Sequence, residues 1–150
     1  MKKLILPFAM FMTMAFAGRA QETTTQDPND PNAPEITFET ETIDYGTIAH
    51  GASGVREFKF KNSGKTPLII SSATGSCGCT TPEWPKEPIA PGASSVIKVK
   101  YDTQRVGNFT KTVTLTSNAK TSRKVLTIKG NIKSPEDAGT PKPAEGSNPK

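Results

Sequence analysis

Phe58-Lys59-Phe60-Lys61-Asn62-Ser63-Gly64 decides how the rest of the chain is read. Two aromatic residues alternate with two lysines, and the run stops at three turn-forming residues. Successive side chains of a strand point to opposite faces, so this order buries Phe58 and Phe60 and leaves Lys59 and Lys61 in water. The same period recurs along the chain. Ile97, Val99 and Tyr101 alternate with Lys98 and Lys100, and Val113 and Leu115 with Thr112, Thr114 and Thr116. Leu126, Ile128 and Ile132 alternate with Thr127 and Lys129. Ile36 and Phe38 begin a first strand, which Ile43, Tyr45 and Ile48 continue past a break. Leu68-Ile69-Ile70 is continuously apolar, the pattern of a strand covered on both sides.

Turn signals separate these runs: His50-Gly51 with Gly54, Asn62-Ser63-Gly64, Ala90-Pro91-Gly92, Val106-Gly107-Asn108 and Ser117-Asn118. No stretch holds apolar residues at helical spacing over three turns, and there is no internal repeat. Short strands divided by regular turns predict an all-β sandwich or barrel. Phe60, Val99, Leu115 and Ile128 are expected to face its interior.

The folded unit is shorter than the 150-residue chain. Residues 1–20 read as a secretory signal peptide: Lys2 and Lys3, an apolar run from Leu4 to Ala17, then small residues offering cleavage before Gly18 or Gln21. The run is shorter than the roughly 20 apolar residues of a membrane span. No cysteine near the cleavage region marks a lipoprotein anchor. Residues 21–34, QETTTQDPNDPNAP, and 134–150, SPEDAGTPKPAEGSNPK, have too few apolar residues to bury and read as a disordered linker and tail. Residues 35–133 remain, near the usual size of one sandwich domain. Removing residues 1–20 takes away Lys2, Lys3 and Arg19, leaving 16 basic and 14 acidic side chains, a net +2. Residues 35–133 alone carry 14 Lys/Arg against 8 Asp/Glu, which fits lysines on outward strand positions.

Several blocks together also resemble a known family. They are Asp44-Tyr45-Gly46-Thr47-Ile48, the run Phe58 to Leu68, Ser76-Cys77-Gly78-Cys79-Thr80, the run Pro85 to Gly92, Ser117-Asn118, and Leu126-Thr127-Ile128-Lys129-Gly130. In this order they are similar to a bacterial family of exported immunoglobulin-like modules of unknown function, frequent in Bacteroidetes, with a Cys-Gly-Cys-Thr signature. That family is related to the ASH/MSP/Hydin-like immunoglobulin class. The resemblance covers roughly residues 36–133. It implies an immunoglobulin-like antiparallel β-sandwich of about seven strands, and it implies no known activity.

Cys77 and Cys79 are the only cysteines. Two residues apart, they cannot join the two sheets as the distant pair of an antibody domain does. Three chemistries remain open. The first is a Cys77–Cys79 disulfide. In an extended strand the two Cα atoms would be about 6.5–7 Å apart, at the limit of disulfide geometry, so Gly78 would have to supply a bend. Such a bond would be easily reduced. The second is a reduced pair binding a soft metal such as copper, which needs a further ligand. The third is a pair of small, buried, inert side chains.

Strand alternation brings His50, the only histidine, to the same pole as Cys77, which makes it the one candidate partner for a metal or a proton. Arg105 reaches that pole if a short strand forms near Ile89, where it would lower a thiol pKa. Trp84, the only tryptophan, sits between prolines in Thr81-Pro82-Glu83-Trp84-Pro85. It is either an aromatic anchor for a partner or a lid on the core.

The sequence holds no Gly-rich phosphate loop and no Gly-x-Ser-x-Gly elbow, and its single histidine excludes a histidine cluster. No nucleic-acid reader motif is present. The expected function is a non-catalytic, secreted or periplasmic interaction or structural module, with no cofactor, no nucleic acid, no membrane span after cleavage, and another envelope protein as partner. The alternative is a thiol-dependent protein using Cys77-Gly78-Cys79 for redox exchange or copper binding.

Overall fold

The structure, a computed structural model, describes residues 30–138. The expected signal peptide and most of both tails lie outside the described residues. Eight strands form: β1 (Ile36–Phe38), β2 (Thr42–Ala49), β3 (Val55–Asn62), β4 (Ile70–Gly75), β5 (Thr80–Glu83), β6 (Ser94–Tyr101), β7 (Gly107–Ser117) and β8 (Arg123–Lys133). They pack as two four-stranded sheets, β1-β3-β6-β5 and β2-β8-β7-β4. Every pairing is antiparallel except β2 with β8, which is parallel.

The first strand divides between the sheets. The Glu39 N–H donates to the Lys59 carbonyl, the last bond of the β1 edge, and the Thr127 N–H donates to the Glu41 carbonyl as the chain reaches the other sheet. That crossing accounts for eight strands where about seven were expected, and it sets β2 beside β8 in parallel.

The alternation read from Phe58-Lys59-Phe60-Lys61 builds the core. Phe60, Val99, Leu115 and Ile128 are 2%, 0%, 1% and 0% exposed. Phe58, Ile97, Val113, Leu126 and Ile132 join them. Burying each such side chain contributes about 1.5–3 kcal/mol. Lys59, Lys61, Lys98 and Lys100 lie exposed on the outer face of the first sheet.

Asn62, at the end of β3, is a turn residue by sequence but is fully buried. Its side-chain amide donates to the carbonyls of Thr66 and Ile89, both at 2.9 Å. Its Oδ1 accepts from the N–H groups of Gly64 and Glu35. Its own N–H donates to Ala93 and its carbonyl accepts from Gly92. One side chain thereby ties three connections to a strand end, and no buried side-chain polar atom among the described residues lacks a partner.

Three readings are corrected here. Leu68-Ile69-Ile70 is not covered on both sides. Leu68 and Ile70 are buried while Ile69 is 44% exposed, because the segment lies at a sheet edge. Asn118 holds it there, accepting from the Ile69 N–H and donating to the Pro67 carbonyl. The folded unit also begins before residue 35: Ala33 and Pro34 are buried, and a Cβ on Gly64 would lie 2.5 Å from the Ala33 carbonyl oxygen. At the other end, Pro135–Ala138 form a 3-10 turn. Finally, no strand forms at Ile89, which makes only a single bridge to Leu68; the short strand is β5. Its Pro82 and its lack of apolar alternation concealed it, since proline removes a ladder donor and is tolerated at an edge.

Candidate functional site

β4 ends at Gly75 in one sheet and β5 begins at Thr80 in the other. Ser76-Cys77-Gly78-Cys79 is therefore the crossing between two sheet edges. Gly75 makes the crossing tight, because a Cβ there would overlap the Thr80 carbonyl oxygen. The Thr80 N–H donates to the Cys77 carbonyl at 3.1 Å, closing a turn over the four residues Cys77 to Thr80. The Ser76 N–H donates to the Thr112 carbonyl and the Asp102 N–H to the Cys79 carbonyl, both at 2.9 Å. The loop is thus hydrogen-bonded to β7 on one side and to the turn after β6 on the other.

Within this turn Cys77 and Cys79 are joined as a disulfide with their Cα atoms 5.2 Å apart. The turn, not an extended strand, brings them together. Gly78 does not supply the bend through left-handed backbone, since it is not among the glycines with positive φ. A Cβ at this position would meet nothing within 4 Å. The two residues are unequal in access: Cys79 is 7% exposed and Cys77 is half-buried. The Thr80 hydroxyl lies 3.6 Å from Cys77 Sγ and 3.8 Å from Cys79 Sγ.

His50 and Arg105 belong to this pole. The Gly51 N–H donates to the Thr103 carbonyl, and the Thr103 hydroxyl donates to the Ala52 carbonyl at 2.7 Å. Through Asp102 the same turn reaches Cys79. His50 therefore sits one connection away from the sulfurs, and the Arg105 guanidinium pairs with Asp102 at 3.4 Å in an exposed ion pair. Such a pair contributes at most about 1 kcal/mol. The metal reading of Cys77, Cys79 and His50 requires the reduced pair, and in this structure the two sulfurs are bonded to each other. Among the described residues no three His, Cys, Asp or Glu side chains are placed to hold an ion.

Beneath the pole lies an aromatic stack. Tyr101 and Phe109 stack with centroids 3.9 Å apart, and Tyr45 meets Phe109 edge-on at 5.3 Å. The Tyr45 hydroxyl donates to the Gly54 carbonyl at 2.8 Å. Burial pushes the Tyr45 phenol up to about 12, against a smaller opposing effect of Arg56, and it raises Tyr101 as well. Both rings are neutral structural members at ordinary pH.

Trp84 lies elsewhere, on the seam between the sheets. Its Nε1–H donates to the carbonyl of Ile70, the first residue of β4, at 3.1 Å. Lys86 lies over its ring, 3.0 Å from the centroid. The half-buried indole links the β5 connection to the β4 edge, and its polar handle is already engaged.

The geometry of the sandwich and the order of its blocks have a counterpart in one family. Residues 36–132 match the family described as "Protein of unknown function (DUF1573)". The chain belongs to the DUF1573 family. No curated protein matches it. Among solved structures, this DUF1573 chain is similar to a protein of unknown function from Porphyromonas gingivalis W83, with a TM-score of 0.60 and 17% identity over 65% of this chain. It spans 46% of that protein's length. It is similar to the ASH/PapD-like domain 7 of human CEP192, with a TM-score of 0.53 and 9% identity, covering 84% of this chain and 97% of that one. The YadV chaperone gives a TM-score of 0.51 at 12% identity, covering 67% and 53%. At these identities the likeness establishes the fold: an immunoglobulin-like sandwich of the PapD-like kind.

Sequence reasoning missed two residues of the DUF1573 pole. Thr80, 3% exposed beside both sulfurs, stood in the Cys-Gly-Cys-Thr block with no role assigned to it. Gly75 carried a legible signal, since a lone glycine in a strand often marks close backbone approach.

Proposed function

We propose that the chain is an exported, non-catalytic binding module that accepts a strand of another envelope protein along the open edge of β3. One observation carries this reading. β1 pairs with only Phe60–Asn62 of β3, and beyond the Glu39–Lys59 bond the chain leaves for the other sheet. From Val55 to Phe58, β3 therefore has a partner strand on its β6 side and none on the other among the described residues. An uncovered strand edge is a template for added strands. Val55, 43% exposed, offers an apolar side chain at that edge. The DUF1573 family has no stated activity, and the likeness in fold to the YadV chaperone and to the ASH/PapD-like domain of CEP192 supports a module that acts by contact. Trp84 has no anchoring part in this reading, and His50 and Arg105 have no role in it. No cofactor is required.

Export rests on the Lys2-Lys3, Leu4–Ala17 and small-residue order of residues 1–20. Mass spectrometry of the native protein is expected to find a start at Gly18 or Gln21. An intact Met1 form in the membrane would remove this part of the reading. The edge is tested with a photo-crosslinker in place of Val55 or, as a control, Thr116 on the other sheet. A discrete adduct from position 55 and none from 116 is expected. Equal labelling from both positions rejects the edge.

A further inference from the structure

We propose that the Cys77–Cys79 disulfide is a thiol–disulfide exchange site, reduced and re-formed on the folded domain by a protein dithiol, with Cys77 the sulfur attacked. It stands apart from the strand-edge reading and survives that reading's failure. Three observations point to it. The loop does not need the bond for its shape: the Thr80–Cys77, Ser76–Thr112 and Asp102–Cys79 backbone bonds and the Gly75–Thr80 contact each hold it. A ring of three residues also removes little freedom from the unfolded chain, because the stabilisation grows with loop length. A bond that constrains so little has a weak structural role.

The second observation is the difference in access. Cys77 is half-buried at the surface of the crossing and Cys79 is 7% exposed. An incoming thiolate therefore meets Cys77 Sγ first, and Cys79 is the leaving sulfur. The third is Thr80, whose buried hydroxyl lies 3.8 Å from Cys79 Sγ and 3.6 Å from Cys77 Sγ, a donor for the thiolate that departs. With only two cysteines in the chain, reduction has no wrong pairing to fall into.

In the exchange a thiolate of the partner attacks Cys77 Sγ, the Cys77–Cys79 bond breaks, and Cys79 leaves with the electron pair and takes up a proton. The partner's second thiol then attacks the mixed disulfide, expelling Cys77 as a thiolate that is protonated in turn. Two electrons and two protons pass to this chain, which becomes a dithiol, and the partner becomes a disulfide. The reverse sequence returns them.

The test uses the full mature chain without denaturant. It is equilibrated in glutathione redox buffers and, separately, in dithiothreitol, then acid-quenched and alkylated. Intact mass reads the oxidised fraction while circular dichroism follows the fold. Full reduction by dithiothreitol with an unchanged spectrum, and a graded response to glutathione, are expected. A bond that resists excess dithiothreitol, or opens only as the spectrum is lost, overturns the proposal. For the direction of attack, the lone thiol of Cys79→Ser should react with an aromatic disulfide probe roughly ten-fold or more faster than that of Cys77→Ser, because thiol reactivity follows access and thiolate character. Equal or reversed rates overturn the assignment of Cys77. Thr80→Val should slow reduction of the wild-type pair and Thr80→Ser should restore it; a change in melting with no change in rate gives Thr80 a structural role only and removes that part.

Discussion

The two poles of the sandwich secure their connections by opposite means. At one, Asn62 uses a single buried amide to join the residue 35, 64, 66 and 89 backbones to the end of β3. At the other, a covalent bond joins two residues of one turn. A disulfide is ordinarily the stronger device in a small exported domain, but its effect scales with the chain it closes. Asn62 spans connections up to 27 residues apart in sequence, whereas Cys77 and Cys79 are separated by 2. The buried amide is therefore the structural staple, and the disulfide constrains little of the chain.

The strongest way to break this comparison is Asn62→Leu. It leaves the Glu35 and Gly64 N–H groups and the Thr66 carbonyl without this partner, while the Ile89 carbonyl keeps the Leu68 N–H, at about 1–3 kcal/mol for each group shielded from water. A loss of about 3–5 kcal/mol in denaturant melts is expected, a large share of a small domain's stability. A loss under about 1 kcal/mol, typical of surface changes, would mean that water replaces the amide and that Asn62 is not the staple.

Next in size is Gly75→Ala. Its methyl group would overlap the Thr80 carbonyl, which is backbone and cannot swing aside. Overpacking of this kind costs about 1–3 kcal/mol, and the upper end is expected. If the variant melts like wild type, the β4–β5 crossing is looser than its contacts indicate, and the loop does depend on its disulfide.

The Cys77→Ser, Cys79→Ser double variant sharpens the contrast from the other side. It is expected to fold and to lose at most about 2 kcal/mol, the low end for disulfides. Failure to fold would reverse the ranking of the two poles.

The smallest effect is a pH dependence at the disulfide pole. The folded-state pKa of Tyr45 is raised to about 12, above the value near 10 of an unfolded chain. The folded state holds the phenolic proton more tightly, so this contribution is fully present below about pH 10 and is lost as pH rises toward 12. Melts at pH 9 and 11 should therefore show a larger loss for wild type than for Tyr45→Phe. Equal losses would mean that Tyr45 is not shielded by the Phe109 and Tyr101 stack.

Period-2 alternation made β3, β6, β7 and β8 legible, because a strand buried on one face must repeat every second residue. The same logic failed for β5, where edge position and Pro82 remove the need for alternation, and for Ile69, whose apolar side chain reaches solvent. The shared pole of His50 and Cys77 was readable from strand direction, since each antiparallel step reverses the chain, whereas that of Arg105 depended on a short strand that forms as β5 and not at Ile89. Contact did not follow, because it depends on where Asp102 and Thr103 place their turn.

The amino-acid order by itself determined the all-β class, the inward residues and the single close cysteine pair. These are local properties, written in neighbours along the chain. Only the tertiary structure decided that Asn62 is a buried staple, that Gly75 lies against Thr80, that Cys79 is covered while Cys77 is half-buried, and that the Val55–Phe58 edge of β3 has no partner strand among the described residues. Each of these depends on residues brought together from distant positions, and no period or spacing in one segment encodes what another will place against it.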